Sequence, residues 1–333
     1  MTLLTRTRGT AAGVALAIGY VLTPDSPELV SLPVEQGPPT SAGAELFAPG
    51  QVSTPLDELN AAFTPDGREL YYSINSGDNI MGVIVVSRLR GGRWSAPEVV
   101  PFSGQHSDYD PFLSTDGRQL FFISDRPSGA EQKAPGDFDV WVVERAGDGW
   151  GAPRNLGSPV NTTRPEYYPS VARDGTLYFS ANRDGGQGSF DVYRARLVDG
   201  RYAEPENLGA AVNGKTAEID NYVAPDQSYI IFAAYGRPDD AGRGDLYISH
   251  LRDGAWTPAK NLGPGVNSPA REYCPIGSPD GKWLYWTSKR GFADRPPERP
   301  LTIRALRDSL ASVRNGGGNI YRIPLSAVLD GGV

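Results

Sequence analysis

The chain has 333 residues, of which 21% are charged and 39% are hydrophobic, a balance typical of a globular protein rather than a disordered one. Its net charge is −7, and because phosphate backbones attract basic surfaces, this charge argues against a nucleic acid partner. Glycine (40) and proline (29) make up about a fifth of the residues, which predicts many short strands joined by tight turns.

The N-terminal segment differs from the rest. Arg6 and Arg8 precede an apolar run over residues 10–22, which fits the core of a signal peptide and is short for a membrane span. No clear A-x-A cleavage site and no lipobox cysteine follow, so residues 1–22 are expected to be a cleaved signal peptide or a retained anchor; a disordered cytoplasmic tail is the alternative. Residues 23–43, rich in Pro, Ser, Gly and Glu, read as a linker. This predicts a periplasmic or secreted protein.

A turn motif built around an aspartate recurs five times along the remaining chain, with proline before the aspartate in three copies and glycine after it in four. Proline presets the backbone, aspartate bonds it locally and glycine accepts a positive φ, so each copy predicts a turn between antiparallel strands. In the fourth copy Gln227 replaces glycine, which predicts a turn of another type. The turn aspartates are separated by 50, 58, 52 and 54 residues: Asp66, Asp116, Asp174, Asp226 and Asp280.

Further strand signals follow each turn. An apolar and aromatic run follows every turn, as expected of a strand covered on both faces. The five runs are 70–73, 120–123, 177–180, 229–232 and 284–287. A third strand is predicted at 83–89, 139–145, 191–197, 245–251 and 319–325. A fourth segment reads Asn-Leu-Gly in three copies, at 155–157, 207–209 and 261–263.

Four strands per repeat predict the blades of an all-β propeller, since ring stacking buries apolar faces that one sheet cannot hide. The fifth repeat ends after its third strand, and residues 44–48 resemble the missing fourth segment. We therefore expect a single propeller over residues 44–325, with five four-stranded blades and the last blade closed by an N-terminal strand. Residues 326–333 are expected to form a C-terminal tail.

These repeats resemble a known family. The pattern Tyr-x-Pro before the turn, Leu-Tyr-Phe after it and Asp-Val-Tyr in the third strand is similar to the WD-like repeat of TolB-type propellers of the bacterial envelope. The third copy carries it at Tyr167, 177–179 and 191–193. The resemblance covers about residues 44–325 and implies a propeller that binds proteins or ligands at the envelope. The TolB propeller has six blades, so six is the alternative count.

An acidic residue lies eight positions before every turn aspartate. In a propeller this position opens the innermost strand, so the five carboxylates, called the ring acids below, are expected to surround one mouth of the central channel: Glu58, Asp108, Glu166, Glu218 and Glu272. In four copies an arginine follows 17 to 19 residues later: Arg126, Arg183, Arg237 and Arg290. An ion pair within each blade is one interpretation, and a charged rim that binds a ligand is the other.

The first repeat lacks the arginine, because Ser76 stands near its position, so Glu58 is expected to be unpaired. Asn60, Asp110 and Asp220, two residues beyond their ring acids, would add oxygen ligands of the kind that calcium prefers. No D-x-D-x-D-G loop is present, however, and the sequence predicts neither a metal site nor a cofactor.

Aromatic residues crowd the starts of the innermost strands. They would pack between blades or, with polar tips on the rim, bind a sugar or peptide. The candidates are Tyr109, Tyr168, Tyr222 and Tyr273. The longest loop, 292–318, contains a helical apolar stripe over 301–313, which predicts a short helix that caps the mouth or packs on blade five.

Enzyme signatures are sparse. With only two histidines, His106 and His250, a Ser-His-Asp triad or a histidine metal centre is not expected, and Cys274 is expected to be a buried core residue. The sequence favours a monomeric binding or scaffold protein that is not an enzyme, with an envelope protein, peptide or glycan at the channel mouth. The alternative is a carbohydrate-active hydrolase that uses two ring acids, since glycosidases need two carboxylates at a defined separation.

Overall fold

The repeats form five radial antiparallel sheets, so the chain is an all-β propeller with five blades, as the turn spacing predicts. The structure, a computed structural model, describes residues 43–77, 80–128, 136–294 and 297–329. The expected signal peptide or anchor and the linker up to residue 42 lie outside the described residues.

Within each blade the strands follow one another from the channel outwards. The innermost strands are β2 (Asp57–Phe63), β7 (Asp108–Leu113), β12 (Glu166–Val171), β18 (Ala217–Val223) and β23 (Glu272–Gly277). The second strands are β3 (Glu69–Asn75), β8 (Gln119–Ser124), β13 (Leu177–Ala181), β19 (Tyr229–Tyr235) and β24 (Trp283–Ser288). The third strands are β4 (Gly82–Arg90), β9 (Asp139–Ala146), β14 (Asp191–Ala195), β20 (Asp245–Arg252) and β25 (Asn319–Pro324).

The outermost strands are only two residues long. They are β6 (Glu98–Val99), β11 (Arg154–Asn155), β17 (Glu206–Asn207), β22 (Lys260–Asn261) and, for the last blade, β1 (Glu45–Leu46). Short hairpins extend the third strands through β5 (Arg93–Trp94), β10 (Gly149–Trp150), the pair β15 (Leu197–Val198) and β16 (Arg201–Tyr202), and β21 (Ala255–Trp256).

The turn chemistry explains the first hairpin of each blade. The Asp66 carboxylate accepts hydrogen bonds from the Thr64 hydroxyl (2.7 Å) and the Arg68 amide (3.1 Å), while Gly67 adopts φ 67°. The expectation of another turn type at Gln227 was wrong. Gln227 has φ 62°, and its amide donates to the carbonyl of Ala224, so the same turn forms with a non-glycine residue.

The Asn-Leu-Gly and Val-Asn motifs explain how so short a fourth strand is held. The Asn161 side chain accepts a hydrogen bond from the Val140 amide and donates to the Val140 carbonyl, both at 2.9 Å, and so substitutes for one step of the strand ladder. It also donates to the side-chain oxygen of Asn155 (2.8 Å). The same asparagine pair recurs in the next two blades, at 207 and 213 and at 261 and 267.

The first described strand closes the ring, which confirms the expected role of residues 44–48. β1 pairs antiparallel with β25, and an ion pair joins Glu45 to Arg322 (2.7 Å). Phe47 follows β1 and packs edge-on against Tyr285 of the last blade, 5.0 Å between ring centres, and against Phe63 of the first blade (6.0 Å). One aromatic ring therefore joins the two blades that meet at the closure.

Two helices interrupt the β architecture. α1 (Ile303–Leu310) lies in the long loop of the last blade, as the apolar stripe predicts, and the Thr302 hydroxyl caps it by accepting from the Ala305 amide (3.1 Å). α2 (Leu325–Leu329) takes up the start of the expected tail, and Leu325 and Val328 are buried against the core. Neither helix of the described part of the chain is long and apolar enough to cross a membrane.

Candidate functional site at the channel mouth

The innermost strands all begin at the same side of the ring, which we call the mouth face. In an up-and-down blade, the loops between second and third strands and the connections into the innermost strands share this side. The five ring acids lie here, at the starts of the innermost strands. They do not reach solvent, because Glu58 is 1% exposed and the other four are fully buried.

Each ring acid fixes the connection that leads into its own strand. The carboxylate accepts hydrogen bonds from an amide or hydroxyl four or five residues earlier, much as an N-cap satisfies a helix start. In the third blade, for example, Glu166 accepts from the Thr162 hydroxyl (2.8 Å) and amide (3.2 Å). The corresponding partners of the other acids are Thr54, Ser103, Gly214 and Ser268.

Four ring acids also pair with the predicted arginines inside the same blade. The distances are 2.6 Å for Asp108 and Arg126, 3.9 Å for Glu166 and Arg183, 2.8 Å for Glu218 and Arg237, and 3.1 Å for Glu272 and Arg290. The arginine side chains are only 10–16% exposed, and each guanidinium also donates to a carbonyl of the incoming connection. The geometry therefore matches the interpretation as ion pairs that hold the loops in place.

Glu58 has no cation beside it among the described residues, as the missing arginine of the first repeat predicts. Burial raises its pKa from 4.5 to about 7, although hydrogen bonds from Thr54 oppose the shift. Burial also raises the pKa of Glu166 to about 7, because Arg183 lies far enough away to compensate only in part. These two carboxyls are therefore expected to change charge near neutral pH.

A second ring of side chains lies two residues beyond the ring acids and turns towards the channel axis. All five residues have φ between 53° and 63°, and a bulge interrupts each innermost strand at this point. These axial residues are Asn60, Asp110, Tyr168, Asp220 and Cys274. The Tyr168 hydroxyl lies 2.8 Å from the sulfur of Cys274, although blade four separates their blades, so the two side chains meet across the axis.

The axial carboxyls are in an unusual electrostatic environment. Burial, together with the charge of Asp220, raises the pKa of Asp110 well above its usual value. Burial likewise raises the pKa of Asp220 to about 7, and the charge of Arg271 opposes this shift. A left-handed conformation is costly for residues other than glycine, so its recurrence in all five blades shows how strongly the fold directs these side chains inwards.

The four predicted rim aromatics, together with the neighbouring Tyr167, occupy four different places. Tyr109 and Tyr167 are half-buried at the mouth face, in a row with two further rings: neighbouring ring centres are 5.9 Å apart from Tyr109 to Phe138, 5.9 Å from Phe138 to Tyr167, and 5.5 Å from Tyr167 to Phe190. Tyr273 is buried beside Arg271, and Tyr168 is axial. Tyr222 lies deeper along its strand, near Gly277 at the far end of the next innermost strand.

Sequence reasoning missed three residues of this region. Phe138 and Phe190 complete the aromatic row, and Arg271 lies over the ring of Tyr273 (4.5 Å) and donates to the Tyr235 hydroxyl (2.9 Å). A recurring sequence pattern could have identified the two phenylalanines, since both directly precede the aspartate that opens a third strand.

Exposed apolar side chains gather on the mouth face above blades five and one. Of the nine large hydrophobic residues that are exposed in the described ranges, five lie in loops on this side. These five, called the apolar patch below, are Leu56, Ile80, Leu301, Ile303 and Leu310, with exposures of 44–79%. The loop of blade five reaches blade one directly, because the Asn315 side chain donates to the Pro55 carbonyl (2.8 Å).

No protein-family profile and no curated protein sequence matches this chain. Similar solved structures include a protein from Agrobacterium tumefaciens assigned as TolB (16% identity, TM-score 0.47, 81% of this chain and 91% of that one). TolB from Acinetobacter baumannii is similar at 16% identity and TM-score 0.46, over 81% of this chain and 54% of that one. An α-L-arabinofuranosidase from Lactobacillus brevis gives 11% identity and TM-score 0.53, over 83% and 92%. At such identities the likeness concerns the fold alone.

Proposed function

We propose that this chain is an exported, TolB-like binding or scaffold protein that holds a protein partner on its mouth face. The apolar patch carries the proposal. Isolated exposed leucines are ordinary on a soluble protein, whereas a cluster on one face marks an interaction surface. α1 presents Ile303 and Leu310 to solvent at 66% and 54% exposure, although both belong to its apolar stripe.

The charge around the patch indicates the chemistry of the partner. Residues 297–318 contain four arginines and two acidic residues, in a chain whose net charge is −7. Arg304 on α1 has a side chain that is 92% exposed. A basic, apolar surface on an acidic protein favours a partner segment that combines apolar anchors with acidic residues, and the matching charges would guide the encounter.

In this proposal the ring acids and their arginines support the mouth face from below. All five acids are buried and four of them are paired, so they hold the loops that carry the patch and do not themselves touch the partner. The same burial gives little support to the hydrolase alternative, because a glycosidase must bring two carboxylates to the sugar. The half-buried aromatic row of Tyr109 and Tyr167 would extend the contact towards the channel mouth.

A site-specific photo-crosslinker tests this proposal. It is placed at position 303 on α1 or, as the matched control, at position 198, where Val198 is 53% exposed on the outer hairpin at the opposite side. Each purified protein is illuminated with an envelope fraction of the producing cells. We expect a defined crosslinked protein from position 303 only, and its loss when Leu301 and Leu310 are changed to aspartate. Equal labelling from both positions, or none from position 303, would contradict the proposal.

Export is tested separately by fractionating cells that produce the full chain. We expect the protein in the periplasm or the medium, and a chain without residues 1–22 in the cytoplasm. Recovery of the full chain from the cytoplasm would remove the exported part of the proposal and leave the surface argument intact.

A further inference from the structure

We propose that Asn315 assembles the apolar patch across the junction of blades five and one, and so positions the surface that the partner contacts. The effect on binding rests on the proposed function, whereas the assembly itself can be measured without a partner. The ring closes at this junction, because β1 and Phe47 join the two blades there. The patch draws its residues from both sides of the junction.

The two halves of the patch belong to segments that are far apart in the sequence. Leu56 lies in the connection between β1 and β2, which leads from blade five into blade one, and Ile80 lies in a loop of blade one. Leu301 and the two apolar residues of α1 lie in the loop that precedes β25. Separate segments form one surface only if a contact holds them together.

Packing alone holds α1 only weakly. No residue of α1 is buried, and its half-buried residues are Ala305, Leu306 and Ser309. A helix of eight residues is also too short to be stable by itself in water. Because the helix removes little apolar surface from water, its position depends largely on the polar contacts of its loop.

The side chain of Asn315 makes polar contacts to both halves of the patch. Its carboxamide nitrogen donates to the carbonyl of Pro55, the residue before Leu56, at 2.8 Å. The same nitrogen donates to the carbonyl of Leu310, the last residue of α1, at 3.3 Å. The carboxamide oxygen accepts from the Gly317 amide (2.8 Å), which fixes the orientation of the side chain. Both donor hydrogens of the NH₂ group are therefore used, one for each half.

Backbone contacts beside Asn315 join the same two blades. Gly318 donates its amide to the carboxylate of Asp57 at the start of β2. The two chain segments also approach closely at Gly317, where a Cβ would lie 3.3 Å from the Leu56 carbonyl oxygen. Asn315 extends this contact between the blades to the end of α1, which the backbone contacts do not reach.

An assembled surface favours binding, because less conformational entropy is lost when the partner arrives. If the contacts of Asn315 are broken, α1 and Leu56 can separate, and the partner has to bring them together again. The coupling between binding and assembly is reciprocal, so a bound partner would hold α1 against blade one. It would in this way also stabilise the closed ring.

The distance between two spin labels tests the assembly without a partner. One label is attached to a cysteine at position 304 on α1 and the other to a cysteine at position 93 on blade one, since both native side chains are exposed and Cys274 is buried. We expect a narrow distance distribution when Asn315 is present and a broader one in N315A. N315D keeps the shape and the acceptor oxygen but donates to neither carbonyl at neutral pH, so it should broaden the distribution as well.

The matched control is S312A, which loses a hydrogen bond within the same loop, from the Ser312 hydroxyl to the Ser309 carbonyl (2.7 Å), and should keep the narrow distribution. A urea midpoint close to the wild-type value establishes that N315A and N315D are folded. A distribution that stays narrow in both variants would overturn the proposal.

Photo-crosslinking then measures the consequence for binding. With the crosslinker at position 303, the yield of the crosslinked protein should fall about tenfold in N315A, as expected when a surface held by one or two hydrogen bonds is no longer assembled. An unchanged yield would refute the dependence of binding on the assembled patch. If the wild type gives no crosslinked protein while N315A broadens the distances, the proposed function fails and the assembly by Asn315 stands.

Discussion

Glu58 is the ring acid that has no cation beside it in the described part of the chain. Replacing it therefore tests how burial alone affects the ionisation of a ring acid and the stability of the protein. Replacing it with glutamine keeps the shape and both contacts to Thr54, since the amide oxygen accepts from the Thr54 amide and the NH₂ group donates to the hydroxyl. The change removes only the capacity to ionise. Burial raises the pKa of Glu58 from 4.5 to about 7, so the folded state holds the proton more tightly than the unfolded state.

The sign and size of the effect follow from this shift. Below pH 4.5 the carboxyl is protonated in both states and contributes no difference between them. As the pH rises towards 7 the unfolded state releases the proton first, so the wild type is progressively destabilised. A tenfold change in an ionisation constant corresponds to about 1.4 kcal/mol, so at pH 8.5 the substitution should stabilise the protein by about 3 kcal/mol.

Urea unfolding, followed by tryptophan fluorescence at pH 5 and pH 8.5, measures this difference. Glu166 and Asp220 also titrate near pH 7, so the informative quantity is the difference between variant and wild type rather than either curve alone. The matched control is E218Q, which leaves Arg237 buried without its counter-charge and should lower the stability by about 3 kcal/mol. If E58Q gains no stability between pH 5 and pH 8.5, the pKa argument is wrong.

Three further outcomes are expected. G82A should lose about 2 kcal/mol of stability in the same urea assay, because the added Cβ would overlap the ring of Tyr109 in the next blade; unchanged stability would mean that the two blades can separate there. Removing residues 1–48 should lower the melting temperature by several degrees relative to removing residues 1–42, since only the longer truncation deletes β1 and Phe47; equal melting curves would contradict the closure. Cys274 should react with a thiol reagent at pH 8 only after denaturation, because burial raises the pKa of its thiol and shields it; rapid labelling of the folded protein would show that the channel is open to solvent.

The fold could be predicted from the sequence because each blade carries the same turn motif and the same apolar runs at a nearly constant spacing. The turn at Asp66 and its four copies fix the first hairpin, and the apolar runs and the spacing fix the number of blades. Even the closing strand could be identified, since the segment that begins at Glu45 supplies the piece that the last repeat lacks. In these elements the turn residues and the apolar pattern favour the same strands that the closed ring requires, and such agreement makes a fold predictable from sequence.

The candidate site was harder to predict, for a reason that also lies in the backbone. The sequence places Glu58 at the start of an innermost strand, but strand alternation alone does not reveal that a bulge follows it. The bulge gives Asn60 a positive φ, and so turns the next polar side chain to the axis while the acid stays in the blade. The spacing to Arg126 left an ion pair and a ligand-binding rim both open, and the structure contains the ion pair; its burial depends on neighbouring loops that no single repeat encodes.

The closing strand has a consequence for the order of events during synthesis. Among the described strands β1 is synthesised first, yet its partner β25 is synthesised last. Until then β25 is missing, and the ring stays an open arc with an unprotected edge on each side. The native ring can therefore form only after β25 has been made, and a nascent chain halted before residue 319 would be unable to complete it.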